Sequence, residues 1–204
     1  MDRDAFIRAC REGGTAIERA LRELDRSFFA KLYQMGMQTL HDADAARDLV
    51  QDTFIKVWQR CATFRGDSEL LPWIKVILRH GAIERLRRRN IEVPLEDDQG
   101  LSSVAARGIL NLSLESNDTP ERAAQQRERA EVFRKGWAQF HKDDPLHASV
   151  LTWIVEDGLS NDDIAQLLER SPGATREFIS QCRKRVRLYL AEWYALAWNS
   201  GETQ

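Results

Sequence analysis

Two knots of basic residues are the part of this sequence best suited to chemistry, and that chemistry is phosphate binding. Arg79, Arg85, Arg87, Arg88 and Arg89 form one knot, and Arg176, Arg183, Lys184, Arg185 and Arg187 the other. Such clusters can hold a nucleic-acid backbone even though the whole chain carries a formal net charge of -2. Just ahead of the first knot stands Phe64-Arg65-Gly66-Asp67-Ser68-Glu69, whose Gly, Asp and Ser content marks a loop. Trp73, at the base of the helix that follows, brings an aromatic surface on which unpaired bases can stack. Any one of these arginines reads equally well as part of a solvated charged face.

Enzyme chemistry finds little support. There is no phosphate-cradling glycine loop and no Cys/His spacing for a metal, and His41, His80, His141 and His147 have no triad-like setting. The neighbouring acids Asp143 and Asp144 fall in a turn, where solvation is expected. A non-enzymatic protein without metal or cofactor is the expectation. Cys10, Cys61 and Cys182 are odd in number and widely spaced, which suits a reducing cytoplasm rather than a disulfide framework. No apolar run approaches the ~18 residues of a membrane span, and the charged N-terminus, MDRDAFIRACREGG, is unlike a secretory signal.

The elements that must position these groups all read as helices. With 204 residues, 43% hydrophobic and 30% charged, the chain has room for one domain or two small ones. Residues 3–13 suggest a short helix ended by Gly13 and Gly14. Thr15, with Glu18 three positions on, predicts a capping box for the next helix, which runs to about Thr39 with Leu21, Leu24, Phe28, Leu32 and Met35 inward. Asp42 or Asp44 caps the helix that carries Asp48 to Arg60. There Val50, Phe54, Val57 and Cys61 should face the core with Trp58 at the edge of their stripe, while Asp48, Asp52, Lys56 and Gln59 lie opposite, with Ile55 among them. Pro72 opens a further helix, in which Trp73, Ile74, Ile77, Ala82 and Leu86 alternate with Lys75, Arg79 and Arg85.

After Asn90 the pattern fails. Residues 91–120 are rich in Ser, Asn, Asp and Gly, begin with the acids Glu92, Glu96, Asp97 and Asp98, and contain Pro94 and Pro120. They read as a flexible linker with at most a turn at Ala105–Leu112. Helical patterning returns from Pro120 through Trp137 and Phe140, then from Pro145 with Val150, Leu151, Ile154 and Val155 apolar, closed by Asp157-Gly158. Ser160, with Asp163 three residues on, caps a short helix carrying Ile164, Ala165 and Leu168 inward. A turn from Glu169 to Gly173 leads to a helix from about Ala174 with Ile179, Cys182 and Val186 inward. This is the pattern of a helix-turn-helix, whose second helix enters the major groove. A packing hairpin is the alternative, and the basic second helix favours DNA. Residues from Trp193 to Trp198 either complete this domain or present an apolar patch. The expected fold is all-α: helical domains at 1–90 and 121–204, joined by the linker 91–120.

Taken in order, these segments resemble bacterial RNA polymerase sigma factors of the extracytoplasmic-function type in the sigma-70 family, and the resemblance covers most of the chain. DLVQDTFIKVW is similar to the segment that docks on the clamp helices of the polymerase β′ subunit. FRGDSELLPWIKVILRHGAIERLRRR is similar to the segment that reads the −10 element and melts the promoter, and GLSNDDIAQLLERSPGATREFISQCRKRVR to the helix-turn-helix that reads the −35 element. The resemblance implies core RNA polymerase (β′ clamp and β flap) and promoter DNA as partners. Asp48, Gln51, Asp52, Ile55 and Gln59 would then meet polymerase. Arg65, Asp67, Ser68 and Trp73 would serve a flipped base and strand separation; Arg79, Arg85, Arg87 and Arg88 would hold phosphates; Thr175, Arg176, Glu177 and Arg183 would meet the −35 groove or backbone.

The departures carry expectations of their own. The family usually has a run of carboxylates just before LVQ, where this chain has Ala45-Ala46-Arg47-Asp48. The docking face is therefore short of negative charge, and weak polymerase binding by the unmodified chain is expected. A subgroup lacking these carboxylates is associated with Ser/Thr protein kinases. Phosphorylation would supply the missing charge, with Thr53 as first candidate and Thr63 and Ser68 after it. Glu177 and Phe178 stand where a small polar and a basic residue are usual, and His80 where Asn is usual. Whether an anti-sigma factor also binds is left open. A stand-alone DNA-binding regulator using only the helix-turn-helix is the alternative function, and a helical interaction protein that reads no DNA is a third.

Overall fold

The computed structural model describes residues 2–91 and 120–198, and every regular element among them is helical. The chain divides into two compact units. The first contains α1 (Arg3–Glu12), α2 (Gly14–Leu40), α3 (Ala43–Arg60), a 3₁₀ turn (Cys61–Thr63) and α4 (Leu70–Ile91). The second contains α5 (Pro120–Asp143), α6 (Pro145–Val155), α7 (Asn161–Leu168), α8 (Pro172–Tyr189) and α9 (Ala191–Trp198). The acidic run 92–98, Pro94 and the turn at 105–112 lie outside the described residues.

In the first unit, α2, α3 and α4 pack on one another and α1 closes one end against α2 and the 3₁₀ turn. The kink between α1 and α2 is made by Gly13, whose φ of 68° is open to glycine and whose N–H caps the Ala9 carbonyl. Gly13 is also the N-cap of α2, so Thr15 falls inside the first turn. The capping box expected at Thr15 does not form, and Glu18 instead pairs with Arg22 at 3.2 Å. Asp42 is the residue that caps α3, accepting from the Ala45 N–H at 2.9 Å. The buried stripe of α2 is Ile17, Ala20, Leu24, Leu32, Gly36, Thr39 and Leu40. Leu21, Phe28 and Met35 are only half-buried, because the line of closest approach to α3 passes through Gly36, where an added Cβ would stand 3.2 Å from the Ala46 methyl.

The second unit is built around α6, which is buried at Leu146, Ala148, Ser149, Val150, Leu151 and Trp153 and packs on α5 and α8. Ser160 and Asp163 form the reciprocal capping box that opens α7. Glu169 ends α7 in the left-handed region, φ 55°, and the Arg170 N–H returns to the Ala165 carbonyl at 3.0 Å. Ser171 then caps α8 with Pro172 at its first position, so this helix begins two residues ahead of the expected Ala174. α9 packs on α5, with the Trp193 ring edge-on to Phe133 at 5.7 Å, and so completes the unit. Asp144 is not a solvated turn acid. Its side chain is 14% exposed and accepts from Arg185 at 2.7 Å, tying the start of α6 to α8.

Candidate nucleic-acid interface

In α3 the core side is taken by Ala46, Leu49, Val50, Thr53 and Val57. The helical period then turns Asp48, Gln51, Asp52, Ile55 and Gln59 to the opposite, exposed side, and the structure brings all five together there. Trp58 joins them. It is 56% exposed, Ile55 beside it is 49% exposed, and the expected place of Trp58 at the core edge is corrected, because Val57 and Cys61 fill that edge. Ile55 and Trp58 thus form a small apolar pair, one helical turn apart, on an otherwise polar row. Near the start of the row Arg47 lies 3.9 Å from Asp44, which offsets part of its positive charge.

Thr53 is not at the border of this face. It is 1% exposed, and its hydroxyl donates to the Leu49 carbonyl at 2.7 Å inside the packed interior. A kinase could reach it only after α3 unwinds, so the expectation of a phosphate at Thr53 is corrected. Thr63 and Ser68 are exposed; they donate to the carbonyls of Arg60 at 2.7 Å and Glu69 at 3.3 Å.

The loop between the 3₁₀ turn and α4 exposes Arg65, Asp67 and Ser68 side by side. It is anchored behind by Phe64 and Leu70, both buried. The Phe64 ring lies 4.8 Å from Trp73, which is half-buried, and Phe6 of α1 completes a three-ring cluster at 5.9 Å from Phe64 and 6.3 Å from Trp73. Trp73 is thus the floor of the loop rather than a free stacking plane.

The arginines of α4 do not form a uniform strip. Arg79 is 5% exposed, so its expected role at phosphate is corrected: the helical period puts it beside Ile83 and Leu86 on the inner side. Arg85, with its side chain 25% exposed, pairs with Asp52 of α3 at 2.5 Å. Arg88 pairs with Glu84 at 2.6 Å, and Glu84 also holds Lys56 at 3.7 Å. Arg87 is exposed. Asp52, Ile55, Lys56, Gln59, Glu84, Arg85 and Arg88 line one open cleft between α3 and α4, so the two predicted surfaces share a border.

On α8, Arg176, Glu177 and Arg183 are exposed as expected. Thr175 is fully buried and donates to the Ser171 carbonyl at 3.0 Å, which corrects its assignment to DNA. Phe178 is also inside, 6% exposed, with the His147 ring at 4.8 Å and the Arg170 guanidinium at 4.3 Å. Its departure from the family pattern is therefore a packing change and not a change of reader. Burial pushes the His147 ring down to about 4, against the pull of Asp144, and leaves it neutral. The outward face of α8 also carries Ser180, Gln181 and Lys184, which lie one turn on from Arg176, Glu177 and Ser180. That spacing could have found them in the sequence.

Residues 21–91 match the Sigma-70 region 2 family. The RNA polymerase sigma-H factor of Pseudomonas aeruginosa is 27% identical over 169 residues, 83% of this chain and 85% of that protein. The RNA polymerase sigma factor YlaC of Bacillus subtilis is 26% identical over 170 residues, 82% of this chain and 90% of that protein. The ECF RNA polymerase sigma-E factor of Haemophilus influenzae is 27% identical over 139 residues, 68% of this chain and 71% of that protein. Residues 21–91 thus carry region 2 of the sigma-70 family, and these relatives, aligned with 68–83% of the chain, are all RNA polymerase sigma factors. The chain accordingly reads as a transcription initiation factor that directs RNA polymerase to promoters, and not as an enzyme. The region 2 match takes in the exposed row of α3, the loop and all of α4; α1 lies outside it. Among the described residues no helix is long and apolar enough to cross a membrane.

Proposed function

We propose that this chain acts as a sigma factor in the cytoplasm by docking α3 on the β′ clamp of core RNA polymerase. Its loop at residues 65–68 then takes an unpaired base of the −10 element, and α8 reads the −35 element while the second unit meets the β flap. The observation that carries this reading is the exposed row of α3, where Ile55 and Trp58 lie between Asp48, Gln51, Asp52 and Gln59. Apolar and aromatic groups ringed by polar ones are the residues that dominate protein interfaces. In the open complex Arg65, Asp67 and Ser68 meet the base, with Trp73 behind them. Arg87 and Arg88 hold the backbone, and Arg85 does so once it leaves Asp52. On α8, Arg176, Arg183 and Lys184 serve phosphates, while Glu177, Ser180 and Gln181 face base edges; a carboxylate suits a cytosine amino group.

The docking face works with the charge it has. Thr63, the exposed hydroxyl nearest α3, lies roughly 24 Å along the helix from residue 47 at 1.5 Å per residue, and Ser68 stands in the loop. A phosphate at either leaves the gap at positions 45–47 unfilled, and one at Ser68 would repel the DNA that the loop is to receive. The unmodified chain therefore binds core polymerase through Ile55 and Trp58 more than through charge, and no kinase is required.

The test is run-off transcription with core polymerase, together with core binding by fluorescence anisotropy. Trp58→Ala is expected to weaken core binding by about thirtyfold, the scale of a ~2 kcal/mol hot spot, with transcription falling in step. Unchanged core binding by Trp58→Ala and Ile55→Ala would remove α3 as the docking face. Sequence-specific binding to duplex DNA without polymerase, and no transcription with it, would favour the stand-alone regulator.

A further inference from the structure

α1 lies outside the region 2 match, yet it holds the loop proposed above to read the −10 base. Arg3 Nη1 donates to the Gly66 carbonyl at 3.1 Å, across 63 positions of sequence. Gly66 has φ of +81°, and a Cβ built there would stand 3.0 Å from Ile7 Cδ1 and 3.5 Å from Arg3 Cδ. The loop is therefore seated on α1 at a point where a side chain is both strained and crowded. One turn along α1, Phe6 is fully buried and meets the rings of both Phe64 and Trp73. All these contacts reach the back of the loop. Arg65, Asp67 and Ser68 at its front stay exposed.

We propose that α1 is part of the base-reading apparatus, with Arg3 as a positioning residue that fixes the Gly66 peptide and so the aim of Asp67 and Ser68. The proposal rests on the reading of residues 65–68 as the base-binding loop. Its physical content is preorganisation: a pocket held in its binding shape discriminates better than one that must be ordered by the ligand. Arg3 makes no contribution to polymerase docking in this scheme, since α3 carries that.

The experiment uses the full chain bound to core RNA polymerase on a library of duplex templates with randomised −35 and −10 segments, with transcripts counted by sequencing. Core affinity and melting temperature are measured on the same proteins. Arg3→Ala is expected to reduce base discrimination at one −10 position by about tenfold, the scale of one charge-assisted hydrogen bond, while core affinity holds and the melting temperature falls only by the several degrees that one lost hydrogen bond costs. Arg3→Lys, which keeps a donor and the charge, is expected to recover most of the discrimination. Asp67→Ala, run alongside, reports on the loop itself and is expected to lose discrimination at the same position. If Asp67→Ala loses discrimination and Arg3→Ala keeps it, the loop reads the base without α1 and the proposal fails. If neither variant changes it, the loop reading fails and the proposal with it. A loss by Arg3→Ala that comes with weaker core binding, or that Arg3→Lys fails to recover, marks a merely structural arginine and also overturns the proposal.

Discussion

Replacing Thr53 by glutamate separates a surface switch from a core residue. Thr53 is 1% exposed, and Leu49, Val50 and Val57 around it on α3 are fully buried. A glutamate there places a carboxylate in the packed interior, at a cost of about 3–5 kcal/mol for a buried charge left without compensation. The longer side chain adds about 1–3 kcal/mol of overpacking. Together these approach the whole stability of a small domain, about 5–15 kcal/mol. Thr53→Val is the matched control. The Leu49 carbonyl already accepts the i,i+4 helical N–H, so the hydroxyl at 2.7 Å is a second donor to a satisfied group. Its loss should cost under about 1 kcal/mol.

The assay is thermal and urea unfolding of the full chain by far-UV circular dichroism, with core polymerase binding measured on the same samples. At about 4 °C or more per kcal/mol for a unit of this size, Thr53→Glu should lower the melting temperature of the first unit by about 15 °C or more. Thr53→Val should lie within a few degrees of wild type. Thr53→Glu should not activate transcription. A Thr53→Glu protein that melts with wild type, or that binds core polymerase more tightly, would refute the reasoning from burial.

Two predictions concern the second unit. His147 is held neutral, with its pKa lowered from 6.5 to about 4 by burial, so the unfolded chain takes up the proton first as pH falls. The stability it contributes is complete above pH 6.5 and is lost progressively towards pH 4, by about 2 kcal/mol at pH 5; urea midpoints between pH 7 and 5 should show this slope, and His147→Gln should flatten it. Gly136→Ala would drive a methyl into the Tyr189 carbonyl oxygen, where α5 crosses the end of α8, and should destabilise by about 2 kcal/mol despite the better helix propensity of alanine. Gly173→Ala, with nothing within 4 Å, should instead stabilise by about 0.5–1 kcal/mol in the same melting experiment.

The helical class, the break at Gly13, a cap at Asp42 or Asp44 and the Ser160–Asp163 capping box could be read from local sequence, because each is set by residues within one turn of one another. What could not be read is which neighbour a helix meets. The apolar period of α2 gave Leu21, Phe28 and Met35 the same standing as Leu24 and Leu32, and only the approach of Ala46 to Gly36 decides between them. Charge misled for a related reason. An arginine in sequence looks like an offer to phosphate, but Arg185 belongs to Asp144, Arg85 to Asp52 and Arg88 to Glu84, all acids whose proximity needs the fold or the helical turn to appear.

The Asp52–Arg85 pair shows why this matters for function. Asp52 sits on the face proposed for polymerase and Arg85 on the helix proposed for DNA, and each holds the other in the free chain. Exposed on one side, the pair is screened and worth at most about 1 kcal/mol, so it can be exchanged for partners of opposite charge. In the proposed scheme, docking that engages Asp52 releases Arg85 for the DNA backbone. The same two residues, read separately along the sequence, suggest two independent contacts; read in the fold, they put the proposed polymerase face and the proposed backbone contact on one border.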